Sequence, residues 1–400
     1  MKSDNILTGI RVLDVGSWVA APAAATAMAD FGADVIKVEQ PGGDPFRNFM
    51  GIPGFPVTED NYPWLLVGRN KRSLVLDLKS DEGYEALCRL IETADVFLTN
   101  YPPEVLKRLK VRYSDVAALN DELIYAQLSG YGEEGPDANQ AAFDRSAWWA
   151  RSGMMDLVRS GDSPPAAGAP AWGDYATSTS VFAGIMMALF RRERTGKGSK
   201  VSTSLLANGV WSNSMMLQAL LCGGKTAYEP PRAQNPMPLG VPYQCQDKRW
   251  FYPWIFDVQG QWVYFLTVLG CSSMLDDPRF ASAEACHANA TATIEHLDDI
   301  FASKTWAEWK TVFDTYDIQY LPVAAPEETL KDPQLHENAM LVDLPSGRFN
   351  AAQTVSSPLQ VEGVSKLTPR PAPEIGQDSR DVLAEAGFDA DEIAAILGAS

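Results

Sequence analysis

The sequence predicts an α/β fold built on a parallel β-sheet with helices on both faces. Three observations carry this prediction. Short runs rich in Val, Ile and Leu recur along the first 135 residues, at Ile10–Val15, Asp34–Glu39, Ser73–Leu78, Val96–Asn100 and Leu123–Leu128. Between them lie helix-like stretches, Ala-rich at Pro22–Phe31 and amphipathic at Glu82–Ala94. Strands this short and apolar, alternating with helices, belong to sheets covered on both sides. Ligands of such sheets sit beyond the carboxyl ends of the strands, so chemistry is expected in the turns that follow them.

The elements follow in order. The first strand runs into Val15-Gly16-Ser17-Trp18-Val19-Ala20-Ala21-Pro22. This turn lacks the GxGxxG spacing that brings a pyrophosphate onto a helix N-terminus, which disfavours an NAD or flavin site there. Residues 175–192 predict a buried helix, with Val181, Phe182, Ile185, Met186, Leu189 and Phe190 at three-to-four spacing. Turn chemistry at Thr195-Gly196-Lys197-Gly198 closes it. A second apolar segment, Val201–Leu221, precedes Cys222-Gly223-Gly224. Residues 227–262 are then rich in Pro and aromatics, including the cluster Trp250–Phe256, which predicts a separate smaller domain entered through an irregular linker. Val342–Arg370 reads as loop and strand, and Ser379–Leu397 as a helix pair broken at Gly387.

Composition narrows the function. The 400 residues are 46% hydrophobic and 21% charged, within the globular range. The longest apolar stretches, such as Val181–Phe190, fall short of the roughly 18 residues a membrane span needs. A net charge of −18 argues against nucleic acid or an anionic membrane as partner, though a local basic pocket can still hold an anion. The opening residues place Asp4 and Asn5 where a secretory signal has an apolar core. Five scattered cysteines form no CxxC pair and read as reduced thiols of a cytoplasmic protein. The three histidines, His287, His296 and His336, all lie late in the chain. The first 286 residues must therefore work without a locally built Ser-His-Asp triad or a His-ligated metal.

Two phosphate-loop lookalikes fail on context. Gly223-Gly224-Lys225-Thr226 has Ala219 at the first glycine position, and Gly196-Lys197-Gly198-Ser199 follows no suitable strand. Asp174 stands after Gly173 and immediately before the buried helix. Locally it reads as a helix cap; equally, a carboxylate in a dry pocket can act as a nucleophile and form anhydride and thioester intermediates. Lys37, Arg47, Lys71, Arg72, Lys79 and Arg108 lie near strand ends. Lys71, Arg72, Lys79 and Arg108 together could form a small cationic site for phosphates, against the ordinary alternative of a solvated surface.

Several segments together resemble the family III CoA-transferases, which include formyl-CoA transferase, carnitine CoA-transferase and, as a racemase branch, α-methylacyl-CoA racemase. They are Leu7–Asp14, Asp30–Asp44, Asn70–Lys79, Leu128–Gly132, Gly173-Asp174, Ala188–Gly198, Ala372–Gly376 and Asp381–Leu383. The match spans nearly the whole chain, and Gly32-Ala33-Asp34-Val35-Ile36-Lys37-Val38-Glu39 with the later Gly-Asp is its most specific part. The resemblance implies a Rossmann-like large domain built from both chain ends, a small α+β domain, and two subunits threaded as an interlocked homodimer. The corresponding boundaries are 1–222 for the first part of the large domain, 223–330 for the linker and small domain, and 331–400 for the return segment.

The resemblance also implies an activity: transfer of CoA from an acyl-CoA thioester to a carboxylic acid, with CoA as co-substrate and no metal, NAD or flavin. Asp174 is the implied nucleophile, carrying an aspartyl-CoA thioester, and Asp144 a helper that positions or protonates groups beside it. Val19, Ala20, Gln40, Leu76, Lys79, Asn100, Tyr101 and Arg108 correspond to CoA contacts. Two positions depart from the formyl-CoA transferase pattern: an arginine near adenine is Gln40 here, and a lysine near the catalytic pocket is Ala142. Arg47 is the conjectured replacement for the missing arginine. The racemase branch needs His before Asp where this chain has Phe143-Asp144, which counts against two-base racemisation. An intramolecular CoA shift within a dicarboxylic acid stays open as an alternative. Trp148, Trp149, Met154 and Met155 are either core or acyl-pocket lining. If they line the pocket, the acyl group is larger or less polar than formate or oxalate.

Overall fold

The computed structural model describes residues 5–50, 52, 55–255, 257–345 and 349–398. Its central sheet has six parallel strands: β1 (Arg11–Asp14), β2 (Asp34–Glu39), β3 (Arg72–Val75), β4 (Val96–Thr99), β5 (Ile124–Ser129) and β6 (Ser199–Ser204). Their spatial order is β3-β2-β1-β4-β5-β6. The chain thus builds outward from β1 on one side, then returns to start β4 on the other. Between β1 and β4 lies the switch point at which such sheets open a crevice.

Five strands coincide with the predicted runs, and the sixth was hidden. The pattern merges Val201 into a helical run, but Ser199–Ser204 is an edge strand that alternates half-buried and exposed side chains. Its Ser and Thr content gives no apolar run to see. The following helix, Leu205–Ser212, starts where Ser204 Oγ accepts the Ala207 N–H at 3.0 Å.

Side-chain alternation along the strands divides the core in two. Val12, Val35, Leu98 and Ala126 face one side, with helices α1 (Ala20–Asp30) and Trp172–Thr195 packed on them. Leu13, Ile36, Leu74, Phe97 and Tyr125 face the other, against Asp81–Ile91, Leu106 of Pro103–Arg108 and the C-terminal helices Ser379–Glu385 and Ala390–Ile396. In chain order, Asp81–Ile91 is α2, Pro103–Arg108 is α3 and Trp172–Thr195 is α4. The predicted closing turn of α4 is real: Gly196 takes a left-handed φ of 62°, where glycine carries no Cβ penalty.

The chain divides into two compact units, the first comprising Met1–Met155, Ala167–Lys225 and His336–Ser400. The end of the chain is tied to β3: Asp378 accepts the Ser73 N–H at 2.8 Å, and Arg72 pairs with Glu385 at 2.8 Å. The second unit comprises Asp156–Ala166 and Thr226–Leu335. Nothing in the composition of 156–166 sets it apart from its neighbours, and the sequence reading left it in the large domain. This unit holds an antiparallel sheet of Tyr243–Gln244, Trp250–Pro253 and Tyr320–Pro322 around an aromatic core. Phe251 of the predicted aromatic cluster is wholly buried there, against Phe301 and Phe313, whereas Trp250 and Trp254 are exposed. Phe256 lies outside the described residues.

Four charged side chains lie wholly inside the large unit, beneath the end of β1. Lys71 Nζ donates to Asp14 at 2.8 Å and to the Pro22 carbonyl at 2.7 Å. Lys37 pairs with Asp44 at 2.9 Å and lies 3.9 Å from Asp14, and it also donates to the Gly16 carbonyl. Burial alone would raise the Asp14 carboxyl, but the two ammonium groups hold it below its ordinary range. Lys37 and Lys71 are therefore structural and do not contribute to a phosphate site. Removing one partner of such a pair leaves an uncompensated buried charge, which costs about 3–5 kcal/mol. Lys71→Ala is expected to lose that much in urea unfolding. Lys107→Ala, at an exposed 3.8 Å pair with Glu104, should change stability by less than about 1 kcal/mol.

Candidate active site

The strand ends around the switch point enclose a cavity of about 610 Å³. Its walls come from the turns after β1 to β5 together with Ala138–Phe143, Asp174 and Leu205. Asn100, just past β4, fixes the turn after β1 by gripping both polar groups of one residue. Its Oδ1 accepts the Ser17 N–H at 2.8 Å, and its Nδ2 donates to the Ser17 carbonyl at 2.7 Å. The next residue, Trp18, takes a left-handed φ of 65°, and its N–H donates to Asp44 at 3.2 Å. The two hydrogen bonds and the charge cluster below hold Trp18, Val19 and Ala20 at the cavity wall.

Val19, Ala20, Gln40, Leu76, Lys79, Asn100, Tyr101 and Arg108 all line this cavity, as do Ala142 and Asp174. Of the basic residues near strand ends, only Lys79 and Arg108 reach it. Both are exposed, and neither is ion-paired among the described residues. Arg72 is spent on Asp34 and Glu385. Arg47 forms a two-pronged pair with Glu39, at 2.7 Å on each oxygen, and stacks 3.9 Å over Trp64. It lines a separate hollow and does not replace the arginine missing at Gln40.

Asp174 is the third residue of α4, not its cap. The capping role belongs to Asp144, which opens a π-helical segment, Asp144–Ala150, and is buried. Its Oδ1 accepts the Gly173 N–H at 3.1 Å, and the Ala171 backbone also hydrogen-bonds to it. Gly173 makes this approach possible: a Cβ there would overlap both the Asp144 carboxylate and the Trp148 ring. The Gly-Asp pair is thus a packing requirement followed by a free carboxylate. Asp174 makes no side-chain hydrogen bond among the described residues and borders the cavity.

Burial, aided by the negative charge of Asp144, pushes the Asp174 carboxyl up to about 7. Burial also raises Asp144, partly offset by the Gly173 and Ala171 amides. The unbonded carboxylate keeps its lone pairs available, and the first turn of α4 supplies partial positive charge beside it. Trp148 and Trp149 are core residues of a segment packed on α4 and on Leu205–Ser212, with Met154 and Met155 against the same cluster; none borders the cavity. Trp18 and Phe143 border it instead. The strand-end rule covers Trp18, but no sequence signal shows that its ring meets Phe143.

The chain is similar in sequence and fold to known proteins. The model of CoA-transferase family III matches residues 7–379. The chain is 29% identical to (R)-2-hydroxy-4-methylpentanoate CoA-transferase of Clostridioides difficile, over 97% of each protein. It is 30% identical to cinnamoyl-CoA:phenyllactate CoA-transferase of Clostridium sporogenes, over 98% of this chain and 96% of that protein. Among solved structures, a CAIB/BAIF family protein from Brucella suis superposes with a TM-score of 0.85 at 25% identity, covering 95% of this chain and 99% of the other. With the family model spanning nearly its whole length, this chain belongs to CoA-transferase family III and is an enzyme of that type.

Proposed function

We propose that this enzyme moves CoA between carboxylic acids through covalent intermediates on Asp174, with CoA lying along the cavity from Lys79 and Arg108 to that carboxylate. An Asp174 oxygen attacks the donor thioester carbonyl, the C–S bond breaks, and CoA thiolate leaves behind an aspartyl-acyl anhydride. The thiolate attacks the aspartyl carbonyl, expelling the donor acid as its carboxylate and forming an aspartyl-CoA thioester. The acceptor carboxylate then attacks that thioester, giving a second anhydride and free thiolate. Attack of the thiolate on the acceptor's carbonyl yields the new acyl-CoA and restores Asp174. Each step exchanges a carboxylate for a thiolate, so the thioester's energy is conserved.

The observation that carries this reading is the free, half-buried Asp174 carboxylate in a cavity that two unpaired cations, Lys79 and Arg108, also line. Val19, Ala20, Leu76, Asn100 and Tyr101 supply the walls for the pantetheine arm, and Gln40 stands where adenine contacts are expected. Asp144 acts as a positioning residue. It caps the helix that carries the nucleophile and adds like charge to it.

Exposed apolar side chains support a homodimer; that its subunits interlock rests on the family resemblance. Trp211, Met215 and Leu221 are 78%, 79% and 80% exposed, and Ser214–Leu221 buries no side chain at all. Such a surface is the kind that association covers.

Five measurements test these statements. Asp174→Ala should lose transfer by about 10⁴-fold or more, the scale of losing a nucleophile. Borohydride treatment of wild type with an acyl-CoA should convert Asp174 to the alcohol, detected by peptide mass; an unmodified Asp174 overturns the covalent route. The pH dependence follows from the reactive form being the carboxylate. kcat/KM should rise with pH and level off above about 7. Asp144→Asn keeps an acceptor for the Gly173 N–H but removes the like charge, so its acidic limb should move to lower pH. Arg145 and Tyr175, the other titratable neighbours, are unchanged in that variant. Sedimentation equilibrium should give twice the chain mass.

A further inference from the structure

The charges lining the cavity are segregated across the sheet. Lys79 and Arg108 are the only cations among its lining residues. Lys79 precedes α2 and Arg108 ends α3, both on the sheet face opposite α4. Asp174 belongs to the α1 and α4 face. Ala142 and Phe143 adjoin Asp144, which accepts the Gly173 N–H, so they lie on the Asp174 side of the lining, with Trp18 against Phe143. Apart from Lys79 and Arg108, no lining side chain among the described residues is a cation that could pair with a second carboxylate, and the two acids, Asp174 and Asp144, would repel one.

The aromatic part of this wall is built, not incidental. Trp18 meets Phe143 edge-on, with centroids 5.9 Å apart at 90°. Behind it, Trp18 leans on Phe46 at 6.2 Å and Phe49 at 6.5 Å. Its backbone is pinned by Asp44, so the ring has little freedom to withdraw. Phe143 is 58% exposed, and its ring partner among the described residues is Trp18. A large apolar side chain left open beside a nucleophile gains by being covered.

We infer that the acyl group delivered to Asp174 is an uncharged, apolar one, an aryl or branched-alkyl monocarboxylic acid seated on Phe143 and Trp18, and that short dicarboxylic acids are disfavoured. This rests on Asp174 being the site of transfer, so the test separates the two claims. Binding of 3-phenylpropanoyl-CoA and succinyl-CoA to the Asp174→Ala protein is compared by calorimetry, where no transfer is needed. The phenylpropanoyl thioester should bind at least about tenfold tighter, a modest requirement for an apolar pocket. Equal or inverted affinities overturn the inference, whatever the wild type catalyses. A tenfold preference with no transfer by wild type would sink the transfer reading and leave the pocket assignment standing. In wild type, kcat/KM with 3-phenylpropanoate as acceptor should exceed that with succinate by the same factor or more. Phe143→Lys, which places a cation at the mouth, should narrow the ratio at least about tenfold by raising the succinate value. A folded Phe143→Lys enzyme with an unchanged ratio also overturns the inference.

Discussion

The buried quartet of Asp14, Lys37, Asp44 and Lys71 is the constraint on which the site depends. Its charges sum to zero, and each member comes from a different place: Asp14 ends β1, Lys37 lies in β2, Asp44 follows β2 and Lys71 precedes β3. The quartet therefore ties the end of β1 to the middle of β2, to the turn after β2 and to the start of β3. It also reaches the cavity, since Lys37 holds the Gly16 carbonyl and Asp44 holds the Trp18 N–H. Buried ion clusters are a poor route to raw stability, because desolvation consumes most of the Coulomb gain. Their value here is geometric. An apolar replacement could fill the volume but could not hold two peptide groups of the turn after β1 in one orientation.

A second division of labour lies at the start of α4. Two carboxylates approach the same helix end, and their environments separate their roles. Asp144 is surrounded and hydrogen-bonded to the helix amides, so its lone pairs are occupied. Asp174 has no such partner and borders open volume. Had Asp174 capped its own helix, as local pattern suggests, its oxygens would have been tied to amides and its basicity reduced. By taking the cap, Asp144 leaves Asp174 both free and more basic. Two interacting acids titrate in a coupled way, so the charge state of Asp144 shapes the acidic limb that Asp174 sets.

Much of the large domain was legible because parallel strands here are unbroken apolar runs. Asp34–Glu39 coincides residue for residue with β2, and α4 was visible from Val181 to Phe190. Legibility failed where burial and polarity part company. β6 escaped because an edge strand has one wet face, and Ser-Lys-Val-Ser-Thr-Ser carries no run. Lys37 and Lys71 were legible only as cations near strand ends; nothing local reveals that Asp14 and Asp44 enclose them. Trp148 and Trp149 are indistinguishable in sequence from Trp18 as pocket candidates. Two lie under α4, and the third is held in the cavity by a left-handed backbone that no residue type announces. The residues that resemblance assigns to CoA contacts line one cavity mostly through strand-end position, whereas Asp174 reaches it, and Asp144 reaches the start of α4, from helical segments that no strand pattern reveals.

On the proposed route, an acidic chain handling an anionic cofactor must place cations where the phosphates lie and keep them away from the reacting carboxylate. Lys79 and Arg108 meet this demand by their position across the sheet from α4. A cation beside Asp174 would stabilise its charge and make it a weaker nucleophile, besides binding the free acids tightly. Without one, the neutral thioester is the better-held species, and the expelled carboxylate meets repulsion from Asp144. The incoming acid likewise arrives unpaired, with its oxygens uncommitted. Discrimination among acids then falls to the repulsion from Asp174 and Asp144 and to the shape and polarity of the wall around Trp18 and Phe143, because no cation among the described lining residues lies on that face to pair with a carboxylate.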